Sequence, residues 1–298
     1  MGQSLLRKGG TTILEKANNK YKDRLFHFLF GREERKGWTL SLYNAVRGSE
    51  YTNAEDIHIN TIDGVLYLGM HNDISFLIVG EMNLFEQQSS FNPNMPLRML
   101  QYTAKLYSKY IKQNRLNNYG YRLLELPVPK LVVFYNGNTD KPDEMILNLR
   151  DSFPADSDPD IDVRVRMINI NPDHSAALLE SCRPLMEYRW VIGKIREYNT
   201  DMILEDAISK TIDDMPEDFL ISDLLKAHRA EVSEMLETEY NQEEVLKVVA
   251  EDARRREADK LIALIKKLEP GSVEFYEALN ATHEKREELY KKYGIADN

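Results

Sequence analysis

The chain contains a single cysteine, Cys182, in 298 residues. One thiol excludes an intramolecular disulfide framework and any zinc site built on several cysteines, and it fits a reducing compartment. Long apolar runs are also missing. No stretch approaches the ~18–20 residues a membrane-crossing helix needs, and Met1–Lys20 lacks the apolar core of about 7–15 residues that defines a signal peptide. The expectation is therefore a cytoplasmic protein with no membrane partner. No Gly-x-Gly-x-x-Gly, phosphate loop or Gly-x-Ser-x-Gly elbow occurs, so the common dinucleotide, nucleotide and serine-hydrolase sites are excluded. The six histidines, at 27, 58, 71, 174, 228 and 283, show no metal-ligand spacing. His71 is close enough to Asp73 to pass a proton, although a hydrogen-bonded strand-end histidine is the plainer reading.

What is present is enough for a folded core: 42% hydrophobic and 30% charged residues. Lys and Arg number 39 against 49 Asp and Glu, a formal net charge of -10, which argues against non-specific coating of DNA by the whole molecule. The charge is unevenly spread. Residues 1–150 hold 19 basic and 15 acidic residues, a net of +4, and the rest hold 20 and 34, a net of -14. Such asymmetry suggests two regions with different tasks.

The patterning divides in the same way. Leu25–Phe30 forms an apolar helical cluster stopped at Gly31, and Leu40, Leu42, Tyr43 and Val46 mark a second helix closed by Gly48. Ile57, Ile59 and Ile62 alternate before Asp63-Gly64, and with Val65–Met70 they read as a hairpin. Asp73–Val79 and Met82–Ser89 read as strands turning at Gly80. From Pro96, Leu97, Leu100, Ala104, Tyr107 and Ile111 recur at helical spacing, and Leu131–Tyr135 reads as a buried central strand. Asp151–Asp160 is a loop and Val163–Ile170 a further strand. Beyond Ser175 the segments 183–200, 201–212, 217–238, 242–268 and 272–293 are helical, interrupted mainly by Pro216 and Pro270-Gly271. These features predict an α/β domain over 1–172 and an all-helical region over 173–298, whose amphipathic 242–268 segment is suited to packing on the core or on a second copy.

The chemistry concentrates at the strand pair. Asp73, Ser75, Leu77 and Val79 share one side of the first strand, and Met82, Leu84, Glu86 and Gln88 share one side of the second. Hairpin pairing would bring Asp73 to Glu86 and Gln88. Two carboxylates and a backbone carbonyl suit Mg²⁺ or Mn²⁺, and Gln88 would orient water without supplying a lysine's charge. The run after Asp73 is too apolar for an exposed strand, so the carboxylate needs a partner or a metal. A solvated hairpin is the bland alternative. Glu81 is a second-rank ligand, and Asn136, ending the central strand, is a candidate phosphate contact. Arg98, Lys105, Lys109, Lys112 and Arg115 place five cations on or near one helix with no intervening acid, a candidate contact for DNA backbone or simply a solvated face.

The stretch Asn72-Asp73-Ile-Ser-Phe-Leu-Ile78, followed by Met82-Asn83-Leu-Phe-Glu-Gln-Gln-Ser-Ser-Phe-Asn-Pro-Asn-Met-Pro-Leu-Arg98, resembles the PD-(D/E)XK nuclease family transposases, relatives of the Rpn recombination-promoting nucleases. Leu42–Ala45 and Val133–Gly137 extend the resemblance, which covers roughly residues 20–240. It implies a restriction-endonuclease-like α/β core with a mixed central sheet flanked by helices. It also implies that Asp73 is the first sheet carboxylate, that Glu86 and Gln88 form a Glu-x-Gln version of the second motif, and that Asp23 is an accessory acid. Gln87 stands where close relatives are expected to carry histidine, and Asn72 where the superfamily's proline would be. The expected activity is Mg²⁺-dependent endonucleolytic cleavage of double-stranded DNA, linked to transposition or recombination. A degenerate nuclease fold serving as a nucleic-acid or protein interaction module is the alternative.

Overall fold

A computed structural model describes residues 25–61 and 73–295. The chain forms two compact units, Met1–Glu239 and Tyr240–Asn298. The composition change near residue 172 is thus followed by more chain belonging to the first unit. Asp23, His71 and the Val65–Met70 half of the expected hairpin lie outside the described residues.

The first unit is built on a mixed six-stranded sheet in the order β1-β2-β3-β4-β6-β5. Its strands are β1 (His58–Ile59), β2 (Ile74–Ile78), β3 (Glu81–Gln88), β4 (Val128–Tyr135), β5 (Glu144–Asn148) and β6 (Arg164–Asn169). β1, β2 and β3 form an antiparallel meander, and β3, β4 and β6 run parallel. Parallel neighbours need a crossover, which between β3 and β4 includes a helix. The helices of this part are α1 (Leu25–Phe30), α2 (Lys36–Arg47) and α3 (Met95–Gln113), the last being the crossover. β5 pairs antiparallel with β6. Its sequence Glu144–Asn148 follows Lys141-Pro142-Asp143 and is too short and polar-flanked to announce a strand.

Alternation on β3 sorts the core into two layers. Met82 and Leu84 pack with Met95, Met99, Tyr102 and Leu106 of α3 and with Val133 and Tyr135 of β4. On the opposite face Phe85 meets Phe76 and Phe134, and Phe134 continues through Phe26 to Tyr188 at ring separations of 5.2–5.6 Å. Tilted and edge-to-face rings at these separations add to the burial they bring. β3 is therefore covered on both sides, which is why its buried polar residues need partners inside the protein.

The helices that follow are α4 (Ala176–Ser181), α5 (Arg183–Tyr198), α6 (Leu204–Asp213), α7 (Ser222–Ala227), α8 (Arg229–Ile265), α9 (Val273–Asn280) and α10 (His283–Lys292). The expected 217–238 and 242–268 helices differ from this: the chain is one helix from Arg229 to Ile265, a span with neither glycine nor proline to stop it. In the second unit Leu264, Leu268, Ala278, Leu289 and Tyr290 form a small core, and the side chains of Ser272 and Thr282 cap α9 and α10. No helix among the described residues is long and apolar enough to cross a membrane.

The β2–β3 turn is the two-residue kind that matches strand twist, with Val79 at φ 48° and Gly80 at φ 73°. Glycine accepts this; a β-branched residue at positive φ is strained. Val79 is also 61% exposed, so packing does not require its side chain. Replacing it with asparagine, which tolerates the left-handed region, is expected to stabilise the protein by about 1 kcal/mol. The readout is the urea midpoint, and an unchanged or lower midpoint would show that the turn carries no strain.

Candidate functional site

The register of β2 on β3 pairs Ile74 with Phe85, and extending it by one sets Asp73 opposite Glu86. Residues opposite one another in an antiparallel pair project to the same face, here the face covered by α3. The half-buried Asp73 accepts a hydrogen bond through Oδ2 from the Gln87 amide at 2.7 Å, and His27 Nδ1 contacts its carbonyl oxygen. The side chain thus caps the strand pair at the point where β2 begins.

Glu86 is only 2% exposed. A carboxylate this deep must be paired to stay ionised, and α3 supplies the partner: Arg98 Nη2 lies 2.6 Å from Glu86 Oε1. The same guanidinium donates to the Tyr102 hydroxyl from Nη2 at 2.8 Å and from Nε at 3.2 Å. Burial, reinforced by the negative charge of Glu86 and opposed by Arg98, pushes the Tyr102 phenol up to about 12, with Asp73 adding a smaller push in the same direction. Tyr102 is therefore a neutral hydroxyl at physiological pH, within the field of both carboxylates. Arg98, in sequence a candidate contact for DNA backbone, is thus an internal partner of Glu86. The i, i+4 spacing of Arg98 and Tyr102 on a helix that follows the Glu-x-Gln motif is the signal that joins them.

Gln88 shares the face of Glu86 and donates to Met95 Sδ at 2.7 Å. A thioether is a weak acceptor, so a water or phosphate oxygen would be a better partner for this amide. Gln87 points to the other face, where its Nε2 donates to Asn136 Oδ1 at 2.8 Å and Asn136 reaches the Tyr188 hydroxyl at 3.5 Å. Asn136 therefore sits behind the sheet from Glu86. Its amide bonds Gln88 O and ties β4 to β3, and a Cβ on the next residue, Gly137, would collide with Ser89 O.

Glu81 is not brought to the pair. It begins β3 on the opposite face, about 17 Å along the strand from Glu86 at ~3.3 Å per residue. There it is held by the Tyr43 hydroxyl at 3.1 Å, Arg47 at 3.0 Å and Lys130 at 3.5 Å. The five cations also separate. Arg98 is committed to Glu86, and Lys109 Nζ donates to the carbonyls of Asn60 and Thr61 at 3.1 and 2.9 Å. Arg115 lies beyond the end of α3 at φ 54°. Arg98, Lys105, Lys109 and Lys112 do fall within roughly 60° of one another around α3 at 3.6 residues per turn.

Asp73 and Glu86 are hard oxygen donors that the extended register sets on the same face of the β2–β3 pair, a donor type that fits a divalent cation such as Mg²⁺ in kind. Arg98 is the group such an ion would replace at Glu86. Among the described residues no group of three or more His, Cys, Asp and Glu side chains is arranged to hold a metal, so a cation here would rest on two carboxylates, backbone oxygen and water.

Two outcomes are expected from this geometry. Arg98→Ala removes the cation paired with a buried carboxylate and should destabilise the protein by about 3–5 kcal/mol; adding Glu86→Gln should recover much of that loss in urea unfolding. A double variant as unstable as Arg98→Ala would show that the pair is not what costs. The raised Tyr102 phenol also sets a pH response. Its folded value exceeds the unfolded one, so its contribution is complete below about pH 10 and is lost as pH rises towards about 12. Tyr102→Phe should lose less stability than the parent between pH 9 and 11, roughly 1 kcal/mol less; equal losses would sink the assignment.

The chain matches no family model, no curated protein and no solved structure.

Proposed function

We propose that this protein is a metal-dependent endonuclease acting on double-stranded DNA, with Asp73 and Glu86 as the residues that would hold Mg²⁺ or Mn²⁺. The observation that carries this reading is the β2–β3 register, which extended by one residue sets Asp73 opposite Glu86 on the face covered by a helix bearing a basic stripe. A mixed sheet flanked by helices agrees with the restriction-endonuclease-like core that the sequence resemblance implies. The wider association with transposition or recombination rests on that resemblance alone.

A bound divalent ion polarises a phosphodiester, activates water and steadies the leaving oxygen. The chain's own residues prepare for that chemistry. The Gln87 amide holds one oxygen of Asp73 in place. Gln88, on the same face as Glu86, has a side-chain amide that among the described residues is bonded only to the Met95 thioether, and it would orient the water. Arg98, once released from Glu86, gains a phosphate as its natural counter-ion, and the neutral Tyr102 hydroxyl donates to phosphate oxygen. Lys105 and Lys112 continue the contact along the backbone, while Lys109 secures α3 to the β1 end of the sheet.

One observation favours a second reading. Arg98 already neutralises Glu86 at 2.6 Å, as in a fold that keeps the motif's charge but uses the surface only to bind nucleic acid or protein. Incubating supercoiled plasmid with the full chain in Mg²⁺, Mn²⁺ or EDTA separates the two. Metal-dependent nicking that disappears in Asp73→Ala and in Glu86→Ala is expected. Nicking that survives both substitutions would exclude this site, and plasmid binding without nicking would favour the interaction module.

A further inference from the structure

The loop between α3 and β4 carries features that neither the fold nor the carboxylate pair uses. Tyr119, Tyr121 and Leu123 are 94%, 100% and 98% exposed, whereas Tyr102, Tyr135 and Tyr188 of the same unit are almost wholly buried. The loop base is nevertheless ordered by local bonds. Leu116 N bonds Ile111 O at 2.9 Å, Tyr119 N bonds Asn117 Oδ1 at 3.0 Å, and Gly120 N bonds Asn117 O at 3.3 Å. The rings are held out from a fixed turn instead of folding back on the protein.

Charge supplies the second observation. Lys112, Arg115 and Arg122 are exposed, and among the described residues none of the three has an ion pair or side-chain hydrogen bond. Arg47, Arg98, Arg166 and Arg183, by contrast, are paired with Glu81, Glu86, Glu144 and Glu187. The segment 112–127 contains one acid, Glu125, in a chain of net charge -10. Unpaired cations interleaved with exposed aromatic faces are the chemistry that binds single-stranded nucleic acid, where phosphates meet the cations and each base stacks on a ring. Paired bases cannot offer their faces in this way.

We propose that this loop is a second nucleic-acid contact, in which Tyr119 and Tyr121 stack unpaired bases and Lys112, Arg115 and Arg122 neutralise the adjoining phosphates. From Arg98 to Lys112 the helix rises about 21 Å at ~1.5 Å per residue, close to six nucleotides at ~3.4 Å each. The substrate it selects is then a duplex lying on the α3 stripe with a single-stranded extension a short way from the Asp73–Glu86 pair. This substrate class rests on the nuclease reading; the contact itself does not.

The test is fluorescence anisotropy with the full chain in EDTA, using a blunt labelled duplex of two helical turns and the same duplex with an oligothymidine tail on either strand end. The parent should bind one tailed duplex about tenfold tighter, or more, than the blunt one. Tyr119→Ser with Tyr121→Ser should erase that difference and leave blunt-duplex affinity unchanged. Replacing Lys112, Arg115 and Arg122 with serine should lower affinity for the tailed duplex and reduce the slope of log affinity against log salt by about 2. Equal affinity of the parent for blunt and tailed DNA would overturn the proposal. So would a preference that survives the tyrosine substitutions, or a change in molar mass by light scattering with DNA binding untouched, which would mark a protein-docking surface. A parent that prefers the tail yet never nicks plasmid keeps this contact and loses the nuclease; nicking without tail preference does the reverse.

Discussion

A carboxylate cannot remain ionised in the middle of a sheet covered on both faces unless a cation is brought to it. Glu86 imposes that condition here, and the placement of α3 answers it. Arg98 stands at the helix head where it reaches Glu86, and Tyr102, one turn on, accepts the guanidinium's further hydrogen bonds. The apolar side of the same helix packs Met95, Met99 and Leu106 on β3 and β4. Core packing and the charge pair therefore depend on a single crossover helix, and neither can shift without disturbing the other.

The two faces of β3 divide the polar work. On the α3 side, Asp73, Glu86, Gln88, Arg98 and Tyr102 form a group whose members carry charge or an incompletely satisfied amide. On the other side, Gln87, Asn136 and Tyr188 form a neutral hydrogen-bonded chain that ties β3 to β4 and to α5. A fully bonded network rigidifies a core; one resting on a thioether acceptor leaves room for a better partner. That contrast separates the charged side of the sheet from the side that ties its strands together.

Charge is distributed to the same end. The acidic excess lies in the second half of the chain, while Lys112, Arg115 and Arg122 sit at the far end of α3 and in the loop beyond it, exposed and, among the described residues, without an ion pair. A strongly acidic molecule can present a local basic track in this way, because screening confines the influence of distant surface charges to about 8–10 Å at ordinary ionic strength.

Much of the fold is written in local pattern. Alternation around Asp73 and Glu86 specifies two strands and the face each carboxylate takes, Gly80 marks their turn, and the three- and four-residue steps after Pro96 specify α3. Gly48 stops α2 in the left-handed conformation expected of it. These features depend on residues close in the chain, so the sequence itself determined them. β5, the unbroken run from Arg229 to Ile265 and the fates of Glu81 and Asn136 were decided by tertiary structure. An edge strand exists only because β6 offers it hydrogen bonds, and a side chain's partner is set by what lies across the sheet. Glu81 and Glu86 are similar in sequence and five positions apart. Strand pleat and length send one to Tyr43, Arg47 and Lys130 and the other to Arg98, because period-two alternation reverses the face over any odd step.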